Sequence, residues 1–115
     1  MKAAVTVKEN HEFRRIYRKG RSAVSPYLVV YCQKNREGRS RLGVTVSKKL
    51  GHAVVRNRTR RRLREIYRLN EHRFARGYDI VVVARSAAVD ADFAVLERAY
   101  LNLAKKAGIL SEADR

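Results

Sequence analysis

Residues 47–68 read SKKLGHAVVRNRTRRRLREIYR, and the rest of the chain is best understood as the support of this stretch. At helical spacing, one stripe is mostly apolar and the other faces carry arginine. The members of the stripe are Val55, Thr59, Leu63, Ile66, Tyr67 and Asn70. Seven of the thirteen residues from 56 to 68 are arginine, and only Glu65 opposes them. Because like charges at i, i+4 repel by about 0.2–0.5 kcal/mol per pair, a polyanionic partner is the simplest reason for concentrating them.

The composition is that of a folded protein with a large excess of positive charge. Twenty-seven Lys and Arg residues face 11 Asp and Glu, which gives a formal net charge of +16 and a pI near 10.9. This excess favours nucleic acid as the partner, with an anionic membrane surface second. A length of 115 residues predicts a single domain over residues 1–115, with residues 110–115 as a loose tail.

The cysteine count and the apolar runs indicate the compartment. Cys32 is the only cysteine, so an intrachain disulfide is impossible, and we predict that its side chain is buried. The N-terminal residues lack the apolar segment of a secretion signal, and no run approaches the roughly 20 apolar residues that a membrane span needs. We therefore expect a cytoplasmic protein with no membrane partner and no obligate protein partner.

Periodicity and turn residues predict the element order α-β-β-α-β-α, an α+β sandwich around a three-stranded sheet. The predicted helices cover residues 9–19, 54–74 and 90–108, the last with Asp90 as its N-cap. The predicted strands cover residues 27–32, 41–47 and 78–84, with a hairpin joining the first two. The third should be central because its core, residues 80–83, is nearly all β-branched. In the last helix, the buried stripe is predicted to be Phe93, Leu96, Tyr100, Leu103 and Ala107.

Three aromatic residues leave two interpretations open. Phe13, Tyr17 and Tyr31 could line a groove in which unpaired bases stack beside basic side chains, or all three could belong to the core. Asn57 likewise could hydrogen-bond a nucleotide or cap the arginine helix.

Catalytic groups of the protein itself are not evident. His11, His52 and His72 are the only histidines, and the sequence does not show two of them at one site. The carboxylates form no cluster suited to a catalytic metal pair. We predict neither catalytic side chains nor a metal site on the protein.

The run from Gly43 to Glu65 closely resembles the signature of the bacterial ribonuclease P protein family. The central motif is Arg-Asn-Arg at residues 56–58, preceded by Ser-Lys-Lys at 47–49 and Gly-His-Ala-Val at 51–54. The similarity extends upstream over residues 12–20 and downstream over residues 77–85. Residues 3–7 depart from it, since many members carry a Lys/Arg-rich segment there. The resemblance therefore assigns no leader contact to the extreme N-terminus.

The resemblance implies a fold and an activity. The fold is the α-β-β-α-β-α two-layer sandwich like domain 2 of ribosomal protein S5, with a left-handed βαβ crossover made by the arginine helix. The activity is that of a ribonucleoprotein endonuclease that removes the 5′ leader from precursor tRNA. The RNA subunit would carry the active site and use Mg²⁺. The protein would bind the leader and the catalytic RNA, broaden substrate use and lower the Mg²⁺ requirement.

The resemblance also assigns roles to residues. Those expected to bind the leader or the rest of precursor tRNA are Phe13, Tyr17, Tyr31, Lys48, Arg56, Asn57, Arg60, Arg61 and Arg64. Those expected to bind the RNA subunit are Lys49, Arg58, Arg62 and Arg68.

Rival functions come from other classes. The first is a structural RNA-binding protein of ribosomal type without a nuclease role, against which only the Arg-Asn-Arg signature argues. The second is a protein-only nuclease, which would depend on the histidines. A DNA-binding helix-turn-helix is disfavoured because strands, rather than a second helix, flank the basic helix.

Overall fold

The computed structural model describes residues 5–7 and 9–111, and it places the strand after Gly77 at the centre of a mixed sheet. The strands within these residues are β1 (Val5–Thr6), β2 (Arg21–Val24), β3 (Leu28–Lys34), β4 (Arg41–Thr45) and β5 (Tyr78–Ala84). The helices are α1 (Asn10–Lys19), α2 (Ala53–Asn70), α3 (Ser86–Asp90) and α4 (Phe93–Lys106). Single 3-10 turns at Lys48–Leu50 and Glu71–Arg73 flank α2.

The sheet has the order β1-β4-β5-β3-β2. β5 pairs in parallel with β4 and antiparallel with β3, so Val82 lies between Val44 and Val30. The α+β class and the central position of β5 are therefore confirmed, and α2 makes the crossover between the parallel strands β4 and β5. The predicted hairpin between the first two predicted strands is wrong, because β5 lies between β3 and β4.

The arginine stretch forms α2 as predicted, with a shorter C-terminal end. Thr59, Leu63, Ile66, Tyr67 and Asn70 are buried along one stripe. Burial of a Leu or Ile side chain stabilises by about 1.5–3 kcal/mol, so this stripe fixes the helix to the sheet despite its charge. The helix ends at Asn70, whose Nδ2 donates to the Ile66 carbonyl oxygen at 2.8 Å and to Glu97 Oε2 at 2.9 Å. The expected extension to residue 74 is a 3-10 turn instead.

Apolar residues cover both faces of the sheet. On one face, α2 and α4 enclose the larger cluster, in which Leu63, Ile66, Leu96 and Tyr100 are fully buried. On the opposite face, α1 covers a small cluster centred on Ile16. The predicted stripe of α4 is confirmed, with Phe93 half-buried at its start.

Several local predictions need correction. The sequence pattern missed β1, β2 and α3, and the last helix is preceded by Asp92 rather than by Asp90, which ends α3. Leu110 is not part of a loose tail, because it forms a β-bridge with Phe74. Ser111 N donates to the Arg73 carbonyl oxygen at 2.7 Å. Residues 112–115 and the atypical residues 3 and 4 lie outside the described residues.

Among the described helices, none combines the length and apolar character required to cross a membrane.

Candidate nucleic-acid interface

The first part of the candidate site is a cleft between α1 and the sheet. α1 lies close to β4 because Gly43 has no side chain: a Cβ built there would be 2.8 Å from Phe13 Cε1. The chain leaves the helix at Gly20, where an added Cβ would be 2.6 Å from the carbonyl oxygens of both Ile16 and Cys32. Two glycines therefore set how closely α1 approaches the sheet.

The three predicted aromatic residues lie together in this cleft. The ring centroids of Phe13 and Tyr17 are 6.3 Å apart, and those of Tyr17 and Tyr31 are 4.8 Å apart in an edge-to-face arrangement. Tyr17 is 37% exposed, and its hydroxyl lies 3.3 Å from Thr45 Oγ1. The rings lie outside the main core, with Phe13 and Tyr31 packed against the smaller cluster. The arrangement leaves aromatic surface accessible beside α1.

A buried carboxylate closes one end of the cleft. Asp79, with a side chain 1% exposed, accepts hydrogen bonds from Arg41 Nε at 2.8 Å and Arg41 Nη2 at 2.9 Å. Arg15 Nη2 on α1 donates to the same carboxylate at 3.2 Å, and Asn35 Nδ2 donates at 2.9 Å. Arg41 Nη1 also donates to Glu12 on α1 at 2.7 Å. These bonds attach α1 to the strands on which Arg41 and Asp79 lie.

The pKa of Asp79 reflects this balance. Burial acts to raise it, but the hydrogen bonds from Arg41 and Asn35, with the charges of Arg41 and Arg15, lower the pKa below its ordinary value. Hydrogen bonding to Asp79 raises the pKa of Arg41. Both groups are therefore ionised at neutral pH.

The second part of the site is an open groove along α2, with a volume of about 650 Å³. It is lined by Asn57, Arg60, Arg61, Arg64, Glu65 and Arg68. Asn57 lies in the groove, where its Oδ1 accepts a hydrogen bond from Arg60 Nη1 at 2.7 Å. Asn57 does not cap α2, because the helix begins four residues earlier, at Ala53. Arg68 Nη2 donates to Glu65 Oε2 at 2.6 Å, and this hydrogen bond lowers the pKa of Glu65. The groove thus combines residues predicted for the leader with Arg68, predicted for the RNA subunit.

Arg58 and Arg62 lie on another side of α2, toward the corner between α3 and α4. Arg62 Nη2 donates to the Ala91 carbonyl oxygen at 2.6 Å, and its guanidinium carbon lies 6.0 Å from the centroid of the Phe93 ring. Arg58 Nη2 donates to the Val89 carbonyl oxygen at 3.4 Å. These contacts stabilise the corner. The sequence did not reveal them, because the partners are backbone atoms about thirty residues away.

A basic turn joins the cleft to the start of α2. Ser47 Oγ accepts a hydrogen bond from the backbone N–H of Lys49 at 3.2 Å. The side chains of Lys48 and Lys49 are exposed. Arg56 Nε donates to the Gly51 carbonyl oxygen at 3.2 Å and is half-buried. Since Thr45 contacts Tyr17 and precedes this turn by three residues, the aromatic cleft and the cations of α2 are neighbours.

The remaining candidate groups lie apart. Cys32 is buried as predicted, and burial raises the pKa of its thiol. His52 and His72 lie beyond opposite ends of α2, whose 18 residues span about 27 Å. His11 lies on α1, on the opposite face of the sheet. Among the described residues, no three His, Cys, Asp or Glu side chains are grouped so that they could hold a metal ion.

Sequence reasoning missed Gly43, Thr45 and the Asp79 network. Gly43 carries a usable signal, because an isolated glycine within an alternating strand indicates the close approach of another group. The hydrogen-bond partners of Asp79 carry no such sequence signal, because they lie in three separate segments: α1, β4 and the loop after β3.

The chain is similar to known proteins in both sequence and fold. Residues 1–108 match the family profile described as Ribonuclease P. A ribonuclease P protein component of Clostridium botulinum strain 657 is 49% identical over 104 residues, covering 90% of this chain and 94% of the relative. One from Alkaliphilus oremlandii is 42% identical over 113 residues, covering 98% and 99%. The solved Staphylococcus aureus RNase P protein superposes with a TM-score of 0.86 at 37% identity, covering 94% of this chain and 99% of that one. The Thermotoga maritima protein gives 0.81 at 35% identity, with coverage of 88% and 96%.

Proposed function

The chain belongs to the ribonuclease P protein family, and on that premise we propose that it is the non-catalytic subunit of a cytoplasmic ribonucleoprotein that removes the 5′ leader from precursor tRNA. The single observation that supports this role best is the aromatic cleft beside α1, which opens next to the cations of α2. Family membership implies a general role in tRNA processing.

The leader binds in the cleft. Phe13, Tyr17 and Tyr31 offer ring surface, and base stacking on an aromatic side chain contributes about 1–3 kcal/mol per base without reading sequence. Tyr17, the most exposed of the three, is the principal stacking residue. Phosphates of the same strand pair with cations just before α2 and along the helix, namely Lys48, Arg56, Arg60, Arg61 and Arg64. Asn57, on the same helix, contributes a hydrogen bond. Such a site suits an enzyme that handles many leaders.

The RNA subunit binds Lys49 in the basic turn before α2, Arg58 and Arg62 on the side of α2 toward the corner between α3 and α4, and Arg68 in the last turn of α2. The contacts of Arg58 and Arg62 with carbonyl oxygens do not conflict with this role. Each guanidinium has five N–H donors, so one donor can hold the protein while others bind phosphate. The intramolecular bond then fixes the side chain before RNA arrives, which lowers the entropic cost of binding.

The chemistry belongs to the RNA subunit and its Mg²⁺. The protein contributes positioning and charge, because its cations replace counterions on closely spaced phosphates. Part of the screening that Mg²⁺ would otherwise supply then comes from the protein. Cleavage should therefore proceed at lower Mg²⁺ with the protein than without it.

Reconstitution tests the proposal. The chain is added to a bacterial ribonuclease P RNA, and 5′ cleavage of precursor tRNA is followed as Mg²⁺ is lowered. We expect the chain to restore cleavage at Mg²⁺ concentrations where the RNA alone is inactive. No stimulation, despite a folded chain, would favour a structural RNA-binding role. Cleavage by the chain without RNA would favour a protein-only nuclease.

Ring removal tests the leader cleft. Tyr17→Ala should weaken precursor binding by about 1–3 kcal/mol, close to 5–150-fold, and leave mature tRNA binding unchanged. Tyr27→Ala is the matched control, since it removes a half-buried tyrosine that packs against the larger cluster. Equal losses for precursor and mature tRNA would contradict the assignment of the cleft to the leader.

A further inference from the structure

A second cluster of positive charge lies at the end of the sheet where β3 ends and β4 and β5 begin. Its exposed members are Lys34 at the end of β3, Arg36 and Arg39 in the loop after β3, and Arg76 in the turn before β5. We call them the loop-end surface. Glu37 is the one acidic residue of that loop. Within the described part of the chain, no hydrogen bond or ion pair engages the four basic side chains.

The loop carrying Arg36 and Arg39 is held in place by hydrogen bonds of Asn35. Asn35 N donates to the Gly77 carbonyl oxygen at 2.7 Å, and Asn35 Nδ2 donates to Asp79 at 2.9 Å and to the Arg39 carbonyl oxygen at 3.1 Å. Asn35 Oδ1 accepts from Glu37 N at 3.0 Å. One asparagine therefore satisfies the loop backbone and attaches it to the buried carboxylate, while the arginine side chains remain directed to solvent.

The two segments lie against each other. A Cβ built on Gly77 would be 3.9 Å from Gly38 Cα, and both glycines have a positive φ, 80° and 77°. Ser40 Oγ donates to the Ala75 carbonyl oxygen at 3.2 Å. Because Arg39 follows one glycine and Arg76 precedes the other, their positions on the two abutting turns are adjacent. The backbone positions of these unpaired cations are fixed, which suits contacts to the phosphates of a folded nucleic acid.

The surface is separate from Tyr17, whose hydroxyl lies beside Thr45 in the proposed leader cleft. β5 has seven residues, so its two ends are about 20 Å apart, and Thr45 pairs near the far end with Val83. The surface is close in sequence to α2, since Arg76 follows Asn70, the last residue of that helix, by six positions.

We propose that the loop-end surface binds the phosphate backbone of the RNA subunit and extends the α2 docking face around the end of the sheet. This inference rests on the proposed function. A folded RNA can present phosphates at both places, whereas the leader is held at the other end of the cleft. Binding to this loop costs little backbone conformational entropy, because hydrogen bonds already hold the loop in place.

Salt-dependent binding tests the proposal. Arg36→Ala combined with Arg39→Ala is titrated against the RNA subunit over a range of salt concentrations. Arg98→Ala with Lys106→Ala is the control, since it removes the same charge from exposed positions on α4. For the loop variant, we expect the slope of log K against log salt to fall by about two, with an affinity loss of tenfold or more at physiological salt. The control should keep a slope near that of the unaltered chain.

The outcomes separate the inference from the function on which it rests. If the unaltered chain binds the RNA and stimulates cleavage but both double variants lose slope equally, the surface contributes only general charge and the inference is wrong. If the loop variant loses affinity only for leader-bearing precursor, the surface serves the leader and the inference is also wrong. If the unaltered chain neither binds nor stimulates, the proposed function fails with it. Equal urea midpoints for the two variants confirm that folding is not the cause.

Discussion

Replacing Asp79 by Asn should strongly destabilise the protein, because its carboxylate holds three segments together. The substitution keeps the shape and removes the charge that balances Arg41, whose side chain is only 13% exposed. The amide oxygen can still accept two hydrogen bonds, but the amide nitrogen accepts none, so two of the four donors from Arg41, Arg15 and Asn35 lose their acceptor.

The magnitude follows from what remains around Arg41. Breaking a buried ion pair by removing one partner costs about 3–5 kcal/mol. Glu12 still accepts from Arg41 at 2.7 Å, and Arg15 is 40% exposed, so water can replace part of the lost interaction. We therefore expect the low end of the range, about 3 kcal/mol of unfolding free energy, or roughly 10–15 °C in Tm.

Urea unfolding followed by circular dichroism measures this loss. The control is Glu65→Gln, the same change of carboxylate to amide, in an exposed pair with Arg68 at 2.6 Å. It should leave the urea midpoint unchanged, since exposed ion pairs contribute little. A loss below about 1 kcal/mol for Asp79→Asn, or equal losses for the two variants, would refute the argument that burial makes the network matter.

The same network predicts a pH dependence. The folded-state pKa of Asp79 is lowered, so the unfolded chain binds the proton more readily than the folded chain does. Its contribution to stability is therefore complete above the unfolded pKa of about 3.9 and is lost as the pH falls through the lower folded value. Asp79→Asn lacks this dependence. The gap between its urea midpoint and that of the unaltered chain should narrow below pH 4, and a constant gap down to pH 2 would contradict the assignment.

Three further substitutions test how the cleft and the corner are built. Gly43→Ala places a Cβ 2.8 Å from the ring of Phe13, so it should cost about 1–3 kcal/mol in urea unfolding and weaken leader binding as the ring moves. Unchanged leader affinity would contradict the role of this close approach. Gly20→Ala meets two backbone carbonyl oxygens at 2.6 Å, which cannot rotate away, so its loss of stability should exceed that of Gly43→Ala. The reverse order in urea midpoints would be evidence against this reasoning. Arg62→Ala loses the hydrogen bond to the Ala91 carbonyl oxygen and should cost about 1.5–3 kcal/mol in the RNA-free protein. Unchanged stability of the RNA-free Arg62→Ala protein would mean that this side chain does not stabilise the fold and contributes only to RNA binding.

The sequence predicted elements whose signal is local. Thr59, Leu63 and Ile66 recur at helical spacing, so the buried stripe of α2 could be predicted without knowing its partner. The apolar run in β5 indicated a central strand for the same reason, because burial on both faces leaves no polar alternation.

Elements defined by pairing could not be predicted in this way. β2 is defined as a strand by its hydrogen bonds to β3, and most of its side chains are exposed. Its residues, Arg21–Val24, show no alternation of buried and exposed positions. The false hairpin has the same origin, since the sequence order of β3 and β4 does not reveal that β5 lies between them.

The candidate site likewise contains features that are visible in the local sequence and contacts that are not. The motif around residues 56–58 and the rings of α1 could be predicted by resemblance, and the structure brings the rings together. How α1 is attached could not be predicted, because Arg15 and Asp79 are 64 positions apart and each resembles an ordinary surface charge in sequence.

The arginines of α2 differ in the contacts that they make within the protein. Arg58 and Arg62 are bonded to backbone carbonyl oxygens, whereas Arg60, Arg61 and Arg64 border a groove in which Glu65 is the only carboxylate. The buried stripe of α2 holds these like charges close together even though they repel. A phosphate backbone in the groove would remove that repulsion and release its own counterions, so folding and RNA binding stabilise each other. The core thus holds the helix in place at a cost in electrostatic energy that a bound phosphate backbone would relieve.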